Sequence, residues 1–174
     1  MEWALACGQS FNSPRYLDLG TGSGAIALAL KSQHAHAQVT AVDDSLDALT
    51  VAQRNADLLA LDVSFLSSDW LAQVTGQFEV IASNPPYIEA QDKHLNLLRH
   101  EPLEALVSGD DGLNAIRNIV QNACSHLVAG GWLLIEHGWQ QAPQVRELLT
   151  SAGFRHVQSK LDLAGIERCS GGQK

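Results

Sequence analysis

The chain has 174 residues, 45% of them apolar and 17% charged, and a formal net charge of −8. That length suits a single domain, residues 1–174, large enough to bury its own core, and the composition excludes intrinsic disorder. The acidic balance argues against a surface that wraps duplex nucleic acid, and no apolar run is long enough for a membrane helix.

From residue 15 onward the pattern alternates strand and helix. RYLDLG (15–20) reads as a short apolar strand running into glycines, followed by a helix over 23–31. QVTAVD (38–43) is a β-branched second strand. Ser45 is placed to cap a helix that continues to Leu59, with Asp47 in the first turn where the helix dipole favours a negative charge. Residues 62–67 give a weaker third strand. FEVIAS (78–83) gives a fourth, apolar enough to be central. A helix is expected over 112–127, a fifth strand over 131–137 (GWLLIEH), and a helix over 141–152 closed by Gly153. Residues 154–161 and 167–169 supply two closing strands. The expected fold is α/β, a Rossmann-like, seven-stranded, mostly parallel sheet with helices on both faces. The connection over 88–111 is far longer than usual in such folds, which marks it as a candidate lid or substrate-binding segment.

The N-terminal MEWALACGQS lacks the charged start and long apolar stretch of a signal peptide. Cys7, Cys124 and Cys169 form no CxxC pair and suit a reducing compartment, so a cytoplasmic location is expected. The seven histidines form no cluster with cysteine or carboxylate, and no metal is assigned.

LDLGTGSG puts Gly20, Thr21, Gly22, Ser23 and Gly24 between the first strand and the first helix. There glycine lets the backbone turn tightly and approach a ligand. Asp43, about twenty residues on at the end of the second strand, can accept from both ribose hydroxyls of a nucleoside. Asp44 competes for that role; alternation turns only one of the pair toward the ligand, and Asp43 is preferred. GxGxG departs from the dinucleotide pattern GxGxxG, which favours a ligand without pyrophosphate. After the third strand, Asp69 can accept from an adenine amino group and Trp70 can pack on the adenine face. The alternatives are a helix cap for Asp69 and core packing for Trp70.

ASNPPYIE carries the sharpest signal. Two prolines fix φ and donate no N–H, so Asn84-Pro85-Pro86-Tyr87 is a rigid turn lined by acceptors. An amide nitrogen is a poor nucleophile because its lone pair is delocalised. If the Asn84 side-chain oxygen and the Pro85 carbonyl each accept one N–H, the nitrogen is held with its lone-pair face toward an electrophilic methyl group. Tyr87 can stack on the planar target and exclude water. Asn84, Pro85 and Tyr87 are therefore the candidate catalytic residues, and Asn84, Pro85, Pro86 and Tyr87 the candidate substrate site. Glu136 and His137 resemble an acid/base pair, yet no step needs one, and a structural role is expected. Trp3, Trp132 and Trp139 are expected to pack.

These motifs resemble the peptide chain release factor N5-glutamine methyltransferases, through LDLGTGSGAIALAL, AVDDSLDALTVAQRNA, SDW, SNPPYI, the EP-x-x-AL-x-x-G-x-x-GL stretch from residue 101 to 113, and LLIEHGWQQ. The resemblance implies a class I methyltransferase fold and S-adenosylmethionine as methyl donor. It places donor contacts at Gly20 to Gly24, Asp43, Trp70 and Asn84, with Asp69 beside them, and target-glutamine contacts at Asn84 to Tyr87. It implies a release factor as protein partner, methylated on the glutamine of its Gly-Gly-Gln loop. The alternatives are a ribosomal-protein glutamine methyltransferase, a nucleic-acid adenine N6-methyltransferase, since NPPY is shared with that group, or an inactive donor-binding scaffold. A nicotinamide-binding protein is the outsider. The family usually carries an N-terminal helical docking domain, which these residues do not include. The tail, CSGGQK, is less apolar than a closing strand should be. Its Gly171-Gly172-Gln173 repeats the target tripeptide, a coincidence on the favoured reading.

Overall fold

The computed structural model describes residues 1–92 and 106–174. Arg99, His100 and residues 101–105 of the 101–113 motif lie outside the described residues. The elements are α1 (Glu2–Gly8), β1 (Arg15–Leu19), α2 (Ala25–Gln33), β2 (Gln38–Asp43), α3 (Leu46–Leu59), β3 (Ser64–Ser67), β4 (Phe78–Ser83), α4 (Asn114–Ala123), β5 (Leu127–Glu136), α5 (Ala142–Ser151), β6 (Arg155–Leu161) and β7 (Glu167–Gln173). The seven strands form one sheet in the order β3-β2-β1-β4-β5-β7-β6, as the α/β expectation required. β1 to β5 pair in parallel, and β7 enters antiparallel between β5 and β6.

The central strands are apolar on both faces because helices cover both. Leu17, Leu19, Ile81, Leu133 and Ile135 point to one core with Ile116 and Ile119 of α4 and Val145 and Leu149 of α5. Their alternate neighbours Tyr16, Val80 and Leu134 point to a second core with Ala4 of α1, Leu28 and Leu30 of α2 and Ala56 of α3. Every residue of β4 is buried, including Glu79, whose carboxylate takes the Arg15 guanidinium at 2.7 Å. Ser45 caps α3 through the Ala48 N–H, 3.2 Å away.

Several boundaries differ from the sequence reading. α1 had no signal strong enough to be expected; Ala4 is buried on the second core while Glu2 stays exposed. The helix expected over 112–127 stops at Ala123, and a 3-10 turn (Cys124–His126) hands the chain to β5. Leu127 is fully buried as a strand residue opposite Phe78, because its apolar side chain serves the sheet rather than another helical turn. β7 continues through the polar-looking tail to Gln173. A Cβ on Gly171 would lie 2.6 Å from Leu134 Cδ2 and 2.7 Å from the Leu133 carbonyl oxygen. Glycine there lets the strand sit flush against β5. Gln173 is tied into the same sheet, its Nε2 donating to the Gly130 carbonyl at 2.8 Å. Among the described residues no helix is long and apolar enough to cross a membrane.

Candidate functional site

β1 lies between β2 and β4, so strand order reverses at its carboxyl end, the place where open α/β sheets form a crevice. Register aligns the exits of four strands there: Leu19 is level with Val42 and Ser83, and Asp43 with Ser67. The Ser83 hydroxyl donates to the Leu19 carbonyl at 2.8 Å, fastening the start of the proline turn to the start of the glycine loop.

The loop is built on three positive-φ glycines, Gly20 (70°), Gly22 (55°) and Gly24 (86°), a conformation in which a side chain is strained. The N–H groups of Gly20 and Thr21 both donate to the Val42 carbonyl at 2.9 Å. Gly24 serves as the N-cap of α2, so that helix starts two residues later than expected. The Ser23 carbonyl accepts from Asn55 Nδ2 at 2.9 Å.

Beneath the loop sits Asp18, a residue the sequence reading passed over although it is the one acid in an apolar strand. Its Oδ2 accepts from Thr21 Oγ1 at 2.7 Å and from the Ala27 N–H at 3.1 Å. Oδ1 is buried with no hydrogen-bond partner. Burial pushes the Asp18 carboxyl up to about 6, against the lowering effect of its two donors.

A cleft at this edge is lined by Gly20, Asp43, Asp44, Ser68, Asp69 and Trp70. Thus the expected loop, acid and indole come together, and both candidates of the Asp43/Asp44 pair face one opening. Asp43 is the more engaged, with Oδ2 accepting from the Gly22 N–H at 2.8 Å and Oδ1 from the Ser45 N–H at 3.0 Å. The Asp44 carboxyl is raised above its ordinary value, first by desolvation and then by the adjacent Asp43 charge. The helix cap considered for Asp69 does not arise, because the chain after β3 forms turns rather than a helix, held by the Ser68 hydroxyl, which accepts from the Gln73 N–H at 2.9 Å. Trp70 has φ 48°, uncommon for a bulky residue, and its ring edge lies 3.3 Å from where a Gly20 Cβ would be. It also packs on the first core, so the packing and cleft-wall readings both hold in part.

The proline turn leaves β4 at the same edge. Asn84 is exposed, Pro85 buried, and Pro86 and Tyr87 half-buried. Among the described residues neither the Asn84 side chain nor the Pro85 carbonyl has a hydrogen-bond partner, so two acceptors are available at the crevice. Beyond the turn, Ile88 pairs with Val107 in a short parallel bridge that ties together the two ends of the long connection.

Three residues outside the expected set complete the surroundings. Gln141 and Arg168 both bond to Tyr87. His137 is fully buried, with Nδ1 bonded to the Gly138 carbonyl at 2.9 Å and Nε2 to Ser170 Oγ at 2.7 Å; it is structural, as expected. Of the tryptophans, Trp3 and Trp132 do pack on each other, ring centroids 5.9 Å apart. Trp139 is 64% exposed and does not pack as expected, because it lies in the turn after β5. No group of three potential metal ligands occurs among the described residues.

The family model described as "Methyltransferase small domain" matches residues 6–108. The chain is 48% identical to the "Release factor glutamine methyltransferase" of Bordetella pertussis, covering 99% of this chain and 65% of that protein. It is 47% identical to the protein of the same name from Escherichia coli (strain K12), covering 91% of this chain and 59% of that one. The chain therefore spans about three fifths to two thirds of the length of these curated relatives. Among solved structures, a methyltransferase from Pyrococcus furiosus superposes with a TM-score of 0.75 at 19% identity, covering 97% of this chain and 80% of that one. A ribosomal protein L11 methylase from Lactobacillus delbrueckii subsp. bulgaricus superposes with a TM-score of 0.71 at 22% identity, covering 98% and 77%. With the family model covering more than half its residues and the same fold in both structures, this chain belongs to the methyltransferase small domain family.

Proposed function

We propose that residues 1–174 act as one catalytic domain that transfers a methyl group from S-adenosylmethionine to the side-chain amide nitrogen of a protein glutamine. The proposed target is the Gly-Gly-Gln glutamine of a peptide chain release factor, and the proposed site of action is the cytoplasm. One observation carries the reading: the three-carboxylate cleft and the acceptor-lined proline turn open at the same edge of the sheet, on either side of the β1/β4 switch point. The curated relatives support the choice of substrate by name.

The residues fit the proposed donor electrostatically. Asp43, Asp44 and Asp69 line one cleft, and the orphaned Asp18 oxygen lies close to the loop. Such a field favours a cationic ligand and disfavours the pyrophosphate of a nicotinamide dinucleotide. Gly20 to Gly24 would border the donor with bare backbone, Asp43 would take its ribose hydroxyls, and Asp69 and Trp70 its adenine. When bound, S-adenosylmethionine supplies an electrophilic methyl group on a sulfonium.

The rest is positioning. The Asn84 side-chain oxygen and the Pro85 carbonyl accept the two N–H groups of the target amide and turn its lone-pair face toward the methyl. Positive charge developing on the nitrogen meets two oriented dipoles. Pro86 keeps the turn rigid and Tyr87 walls the slot against water. No strong base is needed, because the methylated amide readily loses its extra proton.

The test is to incubate the chain with labelled S-adenosylmethionine and, separately, a class 1 release factor, a ribosomal protein and an adenine-containing nucleic acid. Mass spectrometry should locate one methyl on the release factor's Gly-Gly-Gln glutamine. Label only on the ribosomal protein or the nucleic acid would replace the reading, and donor binding without turnover on any of the three would reduce the chain to a scaffold.

A further inference from the structure

The proposed wall of the target slot, Tyr87, is held from both ends by residues beyond the 6–108 stretch that matches the family model. Its carbonyl accepts from Gln141 Nε2 at 3.0 Å. Its phenol oxygen accepts from Arg168 Nη2 at 3.1 Å, and the Arg168 guanidinium carbon lies 5.5 Å from the ring centroid.

Neither contact is incidental. Gln141 stands at the N-terminal boundary of α5 and is 9% exposed. Its Oε1 accepts from the Gly138 N–H at 2.8 Å, and Nε2 also donates to the Asp111 carbonyl at 3.2 Å. One amide thus joins the proline turn, the loop before α4 and the exit of β5. The fit is close enough to require glycine at position 112, where a Cβ would lie 2.3 Å from the Tyr87 carbonyl oxygen and 2.7 Å from Gln141 Nε2. Arg168 is half-buried on β7 and pairs with no carboxylate among the described residues. Its backbone is pinned to β5, since its carbonyl accepts from the His137 N–H at 3.0 Å. Its guanidinium meets Tyr87 twice, at the phenol oxygen and over the ring face.

We propose that Gln141 and Arg168 are positioning residues that clamp Tyr87, backbone from one side and ring from the other, so that it forms a fixed wall for the target amide. This rests on the function proposed above. A planar amide must be held with its lone pair aimed at the methyl, and a displacement of about 1 Å in such an arrangement can lower the rate about a hundredfold. The proline turn fixes where Tyr87 begins; the clamp fixes where its ring ends.

The chain contains two tyrosines, Tyr16 and Tyr87. Tyr16 is fully buried in the second core and serves as an internal reference. Fluorine NMR of the full chain labelled with 3-fluorotyrosine, assigned with Tyr87→Phe, reports the clamp without any substrate. Arg168→Leu and Gln141→Glu should each move or broaden the Tyr87 resonance and leave that of Tyr16 in place. Donor affinity by calorimetry should stay within about threefold, while kcat on a class 1 release factor falls about tenfold or more. The Gln141→Glu enzyme should regain turnover relative to wild type toward acid pH, as protonation restores a donor to face the Tyr87 carbonyl. An unmoved Tyr87 resonance, an unchanged kcat, or a parallel loss of donor affinity would each overturn the clamp. Wild-type protein inert toward the release factor, with a Tyr87 resonance that still responds, would overturn the proposed function and leave the clamp standing.

Discussion

Asp43 holds Gly22. Its Oδ2 accepts the Gly22 N–H at 2.8 Å while Oδ1 accepts the Ser45 N–H at 3.0 Å, so one carboxylate shapes the glycine loop and the entry to α3 at once. A carboxylate has about four lone-pair directions, which leaves capacity for ribose hydroxyls as well. Asp43→Asn keeps the shape but turns one acceptor into a donor. It should weaken S-adenosylmethionine binding about tenfold or more, the scale of one hydrogen bond to a charged group, and Asp43→Ala should weaken it further. Isothermal titration calorimetry checks both, and unchanged affinity in the alanine variant would remove Asp43 from the donor site.

Asn84 presents an acceptor with no partner among the described residues. Asn84→Ala should leave donor affinity within a modest factor and cut methyl transfer about a hundredfold or more, the effect of losing one oriented transition-state contact. Single-turnover rates beside donor titration separate the two. Equal loss of both would assign Asn84 to donor binding alone.

The His137 contacts run in one direction. The Gly138 carbonyl can only accept, so Nδ1 carries the proton and Nε2 accepts from the Ser170 hydroxyl. Ser170 in turn accepts from Ser159, which accepts from Arg146 Nη1 at 2.6 Å. Burial, foremost, holds His137 below its ordinary value of 6.5. With the folded value depressed, the unfolded chain takes up the proton first. Stability is therefore fully present above about pH 6.5 and declines as pH falls through the window beneath it. Ser170→Ala strands Nε2 and should cost about 1–3 kcal/mol. Urea titrations at several pH values measure both effects, and a pH-independent contribution from His137 would contradict the neutral assignment.

The Gly171-Gly172-Gln173 run is a sheet strand here, paired with β5, a setting that keeps it from being presented as a methylation target. Gly171→Ala drives a methyl group into Leu134 and the Leu133 carbonyl and should destabilise the fold by about 2 kcal/mol. Gln173 should carry no methyl after incubation with donor. Denaturant melts and intact-mass analysis check the pair; a methylated Gln173 would require β7 to leave the sheet.

Much of the site was legible because its parts are local. Three glycines after an apolar strand, an acid at the end of the next, and an Asn-Pro-Pro-Tyr turn each announce a backbone shape or a hydrogen-bonding capacity within a few residues. Gln141 and Arg168 announce nothing of the kind. Each acts on Tyr87 from more than fifty residues away in sequence, and an amide or a guanidinium has no periodicity to mark its partner. Asp18 was hidden differently, since an acid in an apolar strand looks like an interruption until Thr21 and the Ala27 N–H are seen to use it.

By itself the sequence determined which segments bury apolar faces, hence the alternation of strands and helices, the doubly wound class, and the two motifs proposed to carry the chemistry. Only the tertiary structure decided that β4 lies beside β1, which brings the proline turn to the glycine loop across 64 residues through Ser83 and Leu19. It also decided that Leu127 belongs to a strand and that a glycine-rich tail inserts between β5 and β6. The physical reason is common to all three. Hydrophobic pattern records how much of a segment is covered, while the identity of the covering neighbour is set by strand pairing and close backbone approach between residues far apart in the chain.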